Sequence, residues 1–252
     1  MNNFPQENLY GHTKKLRFII EQIDGYMLQH NRPITLLDFG CGNGSAVSRF
    51  LIREGIRYFG VDMHAPSLEY ARTHYGGEDA AFLEMVPDGI VFDVIVYSDS
   101  LEHLSDPVAV LRSHRRLISE AGLIIGAVPN GFGPFELEKR VDRWLGLSLA
   151  VQTAVRLRRK IAGTRVSDSQ AVPYNMDSGH LQFFTKKDLT LRLRQGGFQL
   201  KDFTNGTFLG APFSEVILLR GNTIARINSR IADYLPYWAV SSWYFTAVPV
   251  SG

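Results

Sequence analysis

Residues 36–44 read LLDFGCGNG, and the fold of the chain follows from this stretch. It is a short apolar run that ends in glycines, which is typical of a buried strand, and the segment after it, Ser45–Arg53, has the pattern of a helix. In an α/β sheet, ligands lie at the carboxyl ends of the strands, where glycines let the backbone approach them. The N-terminus of the next helix adds N–H donors for an anionic group. The stretch predicts a ligand-binding turn, with a glycine turn that holds no ligand as the alternative.

Segments typical of strands and helices alternate on both sides of this turn. Helices are expected to begin near Thr13, Ser45, Pro66, Pro107 and Thr185. The expected strands are Ile34–Phe39, Tyr58–Val61, Phe92–Tyr97, Gly122–Val128, Phe198–Phe203 and Ser214–Leu219. Buried strands that alternate with helices of this size favour an open, mostly parallel sheet with helices on both faces. The predicted fold class is therefore α/β and doubly wound.

The composition of the 252 residues narrows the function classes. Lys and Arg number 27 against 25 Asp and Glu, a net charge of +2, so no basic excess indicates a nucleic-acid partner. The single cysteine, Cys41, excludes a disulfide framework and is expected to pack inside the glycine turn. No apolar run reaches the ~18 residues of a membrane-spanning helix, and the N-terminus has no secretory signal. A cytoplasmic location is expected.

The spacing of the glycines decides between ligand classes. A P-loop ends in Gly-Lys-Ser/Thr, whereas Gly44 is followed by Ser45-Ala46. The dinucleotide pattern G-x-G-x-x-G/A does not fit either, because Ser45 or Val47 occupies its last position. The pattern present is G-x-G-x-G. Asp62 follows the second expected strand, where an acid is placed to accept both hydroxyls of an adenosine ribose. The alternative for Asp62 is a solvated or helix-capping carboxylate.

Four motifs in order resemble those of class I S-adenosylmethionine-dependent methyltransferases. They are LLDFGCGNG at 36–44, FGVD at 59–62, FDVIVYSDSLEHLSDP at 92–107 and GLIIGAVPN at 122–130. The resemblance covers residues 34–130 and resumes at 179–198, and the chain looks like the subgroup that methylates small molecules. It implies a Rossmann-like, seven-stranded sheet with an antiparallel last strand. It also implies S-adenosyl-L-methionine as cofactor and S-adenosyl-L-homocysteine as its product.

The resemblance further implies which residues hold the cofactor. Asp62 would hold the ribose and Met63 would pack on the adenine. Phe82 and Glu84 are candidates for the adenine side, in a segment without a clear strand. The residues expected around the methionine part and the sulfonium are Asp38, Gly40, Cys41, Gly42, Gly44, Ser98 and Asp99.

His103 and His180 are the candidate catalytic residues. A hydroxyl acceptor must lose a proton to a base, and histidine has an ordinary pKa near neutrality. His103 follows the strand expected at 92–97, where the acceptor should lie. The alternatives are that Glu102 and His103 form a structural pair and that His180 braces an insertion. No H-x-x-x-H pair or flanking carboxylate pair is present, so no metal site is predicted.

A single domain is expected over residues 1–252. Its core spans about 13–130 and 184–220, its helical insertion or lid spans 131–183, and an aromatic tail spans 221–252. The insertion is basic and free of acidic residues from Arg143 to Val166, so segment 143–166 is expected either to contact an anionic membrane or phosphate-bearing substrate, or to be an ordinary lid helix. The tail is expected to pack on the core or on a second copy, which leaves a homodimer open.

The sequence thus predicts methyl transfer from S-adenosyl-L-methionine to a hydroxyl of a small-molecule, glycan-linked or lipid-linked acceptor. The enzyme would be cytoplasmic and, through segment 143–166, peripheral to the inner face of the membrane. The alternatives are a nicotinamide-dependent oxidoreductase, against which the glycine spacing argues, and a non-catalytic membrane-associated module of the same fold. No nucleic-acid partner is expected.

Overall fold

The computed structural model describes residues 4–145, 173, 179–210 and 222–250. The strands of this part are β1 (Ile34–Phe39), β2 (Ile56–Val61), β3 (Ala80–Leu83), β4 (Phe92–Ser98), β5 (Ile118–Pro129), β6 (Phe198–Asn205) and β7 (Ser242–Pro249). They form one seven-stranded sheet in the order β3-β2-β1-β4-β5-β7-β6. Strands β1 to β5 pair in parallel, and β7 runs antiparallel to both of its neighbours. The predicted fold class, including the antiparallel last strand, is confirmed.

Helices cover the sheet and connect its strands. The α-helices are α1 (His12–His30), α2 (Ser48–Leu51), α3 (Ala65–Tyr75), α4 (Pro107–Arg115), α5 (Pro134–Leu145), α6 (Lys186–Gln195) and α7 (Asn222–Ile231). Short 3₁₀ turns lie at Leu101–His103, Ala232–Tyr234 and Tyr237–Ala239. Two helix starts use the caps that their sequences predict. Asp106 accepts from the Ala109 N–H at 2.9 Å, and the Thr185 hydroxyl accepts from the Asp188 N–H at 3.1 Å.

The two faces of the sheet bury separate hydrophobic clusters. Successive side chains of a strand point to opposite faces. Leu36 of β1 therefore packs in the cluster that contains Leu16 of α1, whereas Leu37 packs in the cluster that contains Leu189 of α6. Burial on both faces explains why the central strands have continuous apolar sequences.

The strand order reverses between β1 and β4, and this places the candidate site. The chain moves outward from β1 through β2 to β3 and then returns to β4 on the other side of β1. In open α/β sheets the ligand crevice lies outside the carboxyl ends of the strands at such a reversal. The glycine turn after β1 and the segment after β4 meet there.

The C-terminal segment requires a correction. Residues 221–252 were expected to form a tail, with the core ending near residue 220, but Ser242–Pro249 forms strand β7 inside the sheet. Trp243 and Phe245 are buried there because β7 lies between β5 and β6. The core therefore extends into the expected tail. Phe198–Phe203 lies in a strand as predicted, whereas Ser214–Leu219 lies outside the described residues.

Two shorter elements also differ from the expectation. The segment around Phe82, which showed no clear strand, forms β3 because its backbone pairs with β2 from Tyr58 to Val61. The helix expected over Ser45–Arg53 is only the four residues of α2, since the chain before Ser48 is still part of the turn.

Most of the basic stretch 143–166 lies outside the described residues, because only its first three residues, at the end of α5, belong to them. The expected contact of this stretch with a membrane therefore stays a prediction. Within the described ranges, no helix combines the length and the apolar character that crossing a bilayer requires.

Gly126→Ala tests the packing of β7 on β5. A Cβ at Gly126 would lie 2.1 Å from Cζ of Phe245, so we expect the free energy of unfolding to fall by about 1–3 kcal/mol. Gly25→Ala is the matched control, because a Cβ at that helical position meets no described residue within 4 Å. It should stabilise the chain by up to about 1 kcal/mol. Urea denaturation of both variants measures the difference. Equal effects would contradict the described packing.

Candidate active site

The glycine turn after β1 combines tight packing with an open position. Gly40, Gly42 and Gly44 have φ angles of +86°, +56° and +75°, a region that strains residues with a Cβ. A Cβ at Gly40 would lie 2.6 Å from Cβ of Ser100, and one at Gly44 would lie 2.8 Å from the Tyr75 ring. A Cβ at Gly42 would meet no atom of the described residues within 4 Å. Gly40 and Gly44 thus fit the turn against its neighbours, while Gly42 faces space that a ligand can use.

Asp38 holds the turn from below. Its side chain is buried at the end of β1, and its Oδ2 accepts hydrogen bonds from the hydroxyls of Ser48, at 2.9 Å, and Tyr58, at 2.8 Å. Burial raises the pKa of Asp38 to about 6, although these two bonds act in the opposite direction. The carboxyl group therefore joins β1 to α2 and β2. Its expected contact with the cofactor stays a prediction.

Asp38→Asn should remove a pH dependence of stability. The pKa of Asp38 is higher in the folded chain than its ordinary value of 3.8, so the folded state holds this proton more tightly. The contribution of the Asp38 proton to the free energy of unfolding is therefore complete below about pH 4 and is lost as the pH rises through 6. This contribution is on the order of 3 kcal/mol. Asparagine keeps an acceptor for both hydroxyls but does not titrate.

The expected result is that the melting temperature of Asp38→Asn rises relative to that of the original chain between pH 4 and pH 7. The exposed Asp88→Asn serves as the matched control for the loss of a carboxylate. A constant difference between Asp38→Asn and the original chain across this pH range would contradict the raised pKa.

Asp62 joins the glycine turn to the end of β2. Its Oδ2 accepts from the Gly42 N–H at 2.8 Å and its Oδ1 accepts from the His64 N–H at 2.9 Å. Each carboxylate oxygen keeps acceptor capacity for a further donor such as a ribose hydroxyl. Met63 beside it is 88% exposed, as a side chain free to cover a ligand should be. The structure thus brings the loop glycines and the expected ribose acceptor together.

Phe82 and Cys41 lie under this region. The Phe82 ring is buried and packs on the Tyr58 ring with a centroid distance of 5.5 Å. Cys41 is half-buried, and burial together with the nearby Asp38 raises the pKa of its thiol, so it stays protonated at neutral pH. Both side chains contribute packing below the turn, whereas Glu84 is exposed.

The end of β4 has an unusual backbone. Asp99 has a φ of +55°, its N–H donates to the Ala127 carbonyl at 3.0 Å, and its carboxylate forms an ion pair with Lys15 of α1. The hydroxyls of Ser98 and Ser100 are buried without a partner among the described residues. Strained backbone and unpartnered polar groups occur together at ligand sites. This segment, which packs against Gly40 of the glycine turn, is suited to a polar ligand.

His103 and His180, the two candidate catalytic residues, lie side by side. Their ring centroids are 5.1 Å apart. His103 bonds through Nδ1 to the Gly179 carbonyl at 3.1 Å, and His180 bonds through Nδ1 to Oε1 of Glu136 at 2.7 Å. Burial lowers the pKa of His103, which favours a neutral imidazole at physiological pH. The structure therefore brings together two imidazoles that are far apart in sequence.

Glu102 and Glu136 are the acidic members of this cluster. Glu102 is 1% exposed, and its Oε2 is buried without a hydrogen-bond partner among the described residues. Burial, with a further contribution from Asp99, raises the pKa of Glu102 well above its ordinary value. Burial opposes the ionisation of Glu136 as well, but its bonds and charges from His180 and Lys139 lower the pKa below the usual range. In Glu136 these partners outweigh the effect of burial on the pKa, whereas in Glu102 burial prevails.

Backbone hydrogen bonds fix the two halves of the cluster. The N–H groups of Leu181 and Gln182 both donate to the Glu102 carbonyl, at 2.8 and 2.9 Å. The Gln182 side-chain amide donates to the Leu104 carbonyl at 2.9 Å. The C-terminal end of the insertion is therefore docked on the segment after β4, and His180 is held beside His103.

Three residues near the site had no signal that sequence reasoning could use. Lys15 on α1 pairs with Asp99, and Glu136 on α5 orients His180. The carbonyl of Pro173, from the insertion, accepts from the Asn43 side-chain amide at 2.8 Å and so contacts the glycine turn. Each contact joins segments that are distant in the chain, so local spacing gave no indication of it.

Comparison with known proteins identifies the class that this fold and site define. A family model described as a methyltransferase domain matches residues 10–202, and the chain belongs to this family. The ubiquinone biosynthesis O-methyltransferase of Serratia proteamaculans (strain 568) is 31% identical over 134 residues, which cover 49% of this chain and 55% of that protein. The chain spans about half the length of the curated relatives it matches.

Solved structures agree on the fold. The cyclase SpnF superposes with a TM-score of 0.54 at 17% identity, over 92% of this chain and 82% of that one. Magnesium protoporphyrin IX methyltransferase from Synechocystis PCC 6803, solved with bound S-adenosylhomocysteine (SAH), gives 0.51 at 16% identity, over 95% and 85%. The expected class I methyltransferase family and its cofactor, S-adenosylmethionine, are confirmed.

The residues present fit this cofactor. The open side of Gly42, the paired carboxylate of Asp62 and the unpartnered hydroxyls of Ser98 and Ser100 are the groups that a nucleoside and an amino-acid moiety need. The role of each individual residue stays a prediction.

Proposed function

We propose that this protein transfers a methyl group from S-adenosylmethionine to a hydroxyl of a small-molecule acceptor. The observation that carries the proposal is the pair formed by His103 and His180 beside the end of β4, in a chain of the methyltransferase family. The curated relatives named as ubiquinone biosynthesis O-methyltransferases support oxygen as the methylated atom. When bound, the cofactor supplies an electrophilic methyl group on a cationic sulfur.

The chain would hold the cofactor along the ends of β1, β2 and β4. Asp62 would accept from the ribose hydroxyls, and Met63 would cover the adenine. The glycine turn would admit the methionine part, because no described residue lies within 4 Å of a Cβ at Gly42. Asp99, fixed by Lys15, would hold the charge of the amino-acid end close to β4.

The acceptor would lie on the side of the site that faces His103 and His180. A hydroxyl must lose its proton to become a good nucleophile, and both imidazoles keep Nε2 without a partner among the described residues. Exposed apolar side chains on or next to α5, such as Phe132 and Leu137, favour an acceptor with an apolar part. We keep three more specific possibilities as proposals: a glycan- or lipid-linked acceptor, contact of segment 143–166 with a membrane, and a homodimer.

Two measurements test the proposed function. Titration with SAH should raise the melting temperature, because a ligand at 100 times its dissociation constant stabilises by about 2.7 kcal/mol. Transfer of labelled methyl from S-adenosylmethionine to a set of phenols and catechols should exceed transfer to the matching anilines. Failure to bind either form of the cofactor contradicts the proposal, and binding of NAD instead would support the oxidoreductase alternative. Cofactor binding without transfer to any acceptor would favour the non-catalytic module.

A further inference from the structure

We propose that Glu102, His103 and His180 bind one divalent cation of the zinc class. Each residue offers one ligand atom, and the three atoms lie within 4.8 Å of one another. Two imidazoles and one carboxylate are a ligand set of catalytic zinc sites, in which the fourth position stays open. Bond lengths of ~2.0–2.2 Å require ligand spacings shorter than this limit, so the side chains would have to rotate toward the ion when it binds.

The hydrogen bonds of the two histidines leave one nitrogen of each ring free for an ion. A carbonyl and a carboxylate only accept, so Nδ1 of His103 donates to Gly179 and Nδ1 of His180 donates to Glu136. In the neutral rings the lone pair is therefore on Nε2, which has no partner among the residues that the structure describes. Metal-binding histidines commonly donate their other N–H to a carboxylate or a backbone carbonyl. Both outer partners are thus present before any ion binds.

Glu102 supplies the second, independent observation. Its Oε2 is buried and has no hydrogen-bond partner within the described chain. A buried polar atom without a hydrogen-bond partner costs free energy, so such atoms are few in folded proteins. Where one occurs, an ion, a water molecule or a catalytic role commonly explains it. A cation between Glu102 and the two imidazoles would compensate this oxygen.

Backbone hydrogen bonds hold the two segments of the site together. Two backbone N–H groups, of Leu181 and Gln182, bond to the carbonyl of Glu102 itself, so the segment that carries His180 is fixed to the segment that carries Glu102 and His103. The His180 side chain is 15% exposed, so an ion has access from solvent. A preorganised framework reduces the entropy that binding would otherwise cost.

The consequence for the reaction rests on the proposed function. A cation with an open position beside the acceptor lowers the pKa of a hydroxyl held there. The O–H bond breaks, the electron pair stays on the oxygen and the proton leaves to solvent. His103 and His180 would then assist proton removal by holding the cation, and not by accepting the proton themselves.

Cobalt titration tests the site without any turnover. The full chain is treated with a chelator, dialysed and titrated with Co²⁺ alone, while visible absorption and calorimetry are recorded. We expect one equivalent to bind with the absorption bands of a nitrogen- and oxygen-ligated ion. Glu102→Gln and His180→Ala should each weaken binding at least a hundredfold. Glu136→Gln, which changes only an outer partner, should weaken it about 10–100-fold.

His74→Ala is the matched control, since His74 is exposed on α3 and stacks on Tyr70. Its cobalt affinity should equal that of the original chain. Thermal melting of each variant reports folding, and SAH binding is measured separately in the same samples. If Glu102→Gln or His180→Ala fails to fold, His103→Asn takes its place. No cobalt binding, or binding that survives these changes, overturns the cation site even if SAH binds. Loss of SAH binding with cobalt binding intact overturns only the proposed function.

Discussion

Alanine in place of His103 is expected to lower kcat by about a hundredfold or more, because removal of a group that acts on the acceptor proton costs 10²–10⁴-fold. The Kd for S-adenosylmethionine should change by less than about twofold, since His103 bonds to Gly179 and not to the glycine turn. Steady-state kinetics with the best acceptor and calorimetry with SAH give the two numbers.

A second substitution at the same position separates a structural role from a chemical one. In His103→Asn the amide can still donate to the Gly179 carbonyl, so the bond that holds this segment is kept. We expect this variant to melt like the original chain and to turn over as slowly as His103→Ala. If it turns over normally, Glu102 and His103 form only a structural pair. His74→Ala controls for loss of an imidazole elsewhere.

Asp62→Ala should weaken binding of S-adenosylmethionine and SAH at least tenfold. The substitution removes the expected acceptor for the ribose hydroxyls and also frees the N–H groups of Gly42 and His64. Asp62→Asn keeps one oxygen for the Gly42 N–H, so it should preserve the turn and lose less affinity than alanine does.

The matched control is Asp79→Ala, an exposed acid just before β3. Calorimetry on the three variants orders them: Asp79→Ala near the original affinity, Asp62→Asn intermediate and Asp62→Ala weakest. An unchanged Kd in Asp62→Ala would assign this residue to helix capping and would move the ribose site elsewhere.

The parts of the fold that could be predicted are those whose reasons are local. β1 and β4 are apolar runs because both faces of the sheet are buried. Asp106 and Thr185 are residue types that cap helices, so they indicate where the next helices begin. β7 was missed because its partners, β5 and Phe198–Asn205, are distant in the chain, and pairing energy is not visible in one segment. The four residues of β3 are too few to show periodicity.

The candidate site divides in the same way. The glycine turn and Asp62 follow from spacing and from their positions after strands, and the structure brings them into direct hydrogen-bond contact. Glu136 gave no signal, because its importance comes from the 2.7 Å contact with His180 across the insertion. A metal cluster was not predicted because the sequence has no H-x-x-x-H pair, whereas the third residue of the candidate cluster, His180, comes from a distant segment.

The position of β7 has a consequence for biosynthesis. This strand is made after both of its neighbours, yet it separates them in the sheet. Until residues 242–249 have been made, the edge of β5 and the backbone of β6 lack β7, the strand with which both pair in the folded sheet. Unpaired edges invite pairing with other chains. The nascent protein therefore passes through a stage in which five strands can assemble and the sheet is open on one side, and release of the last strand closes it.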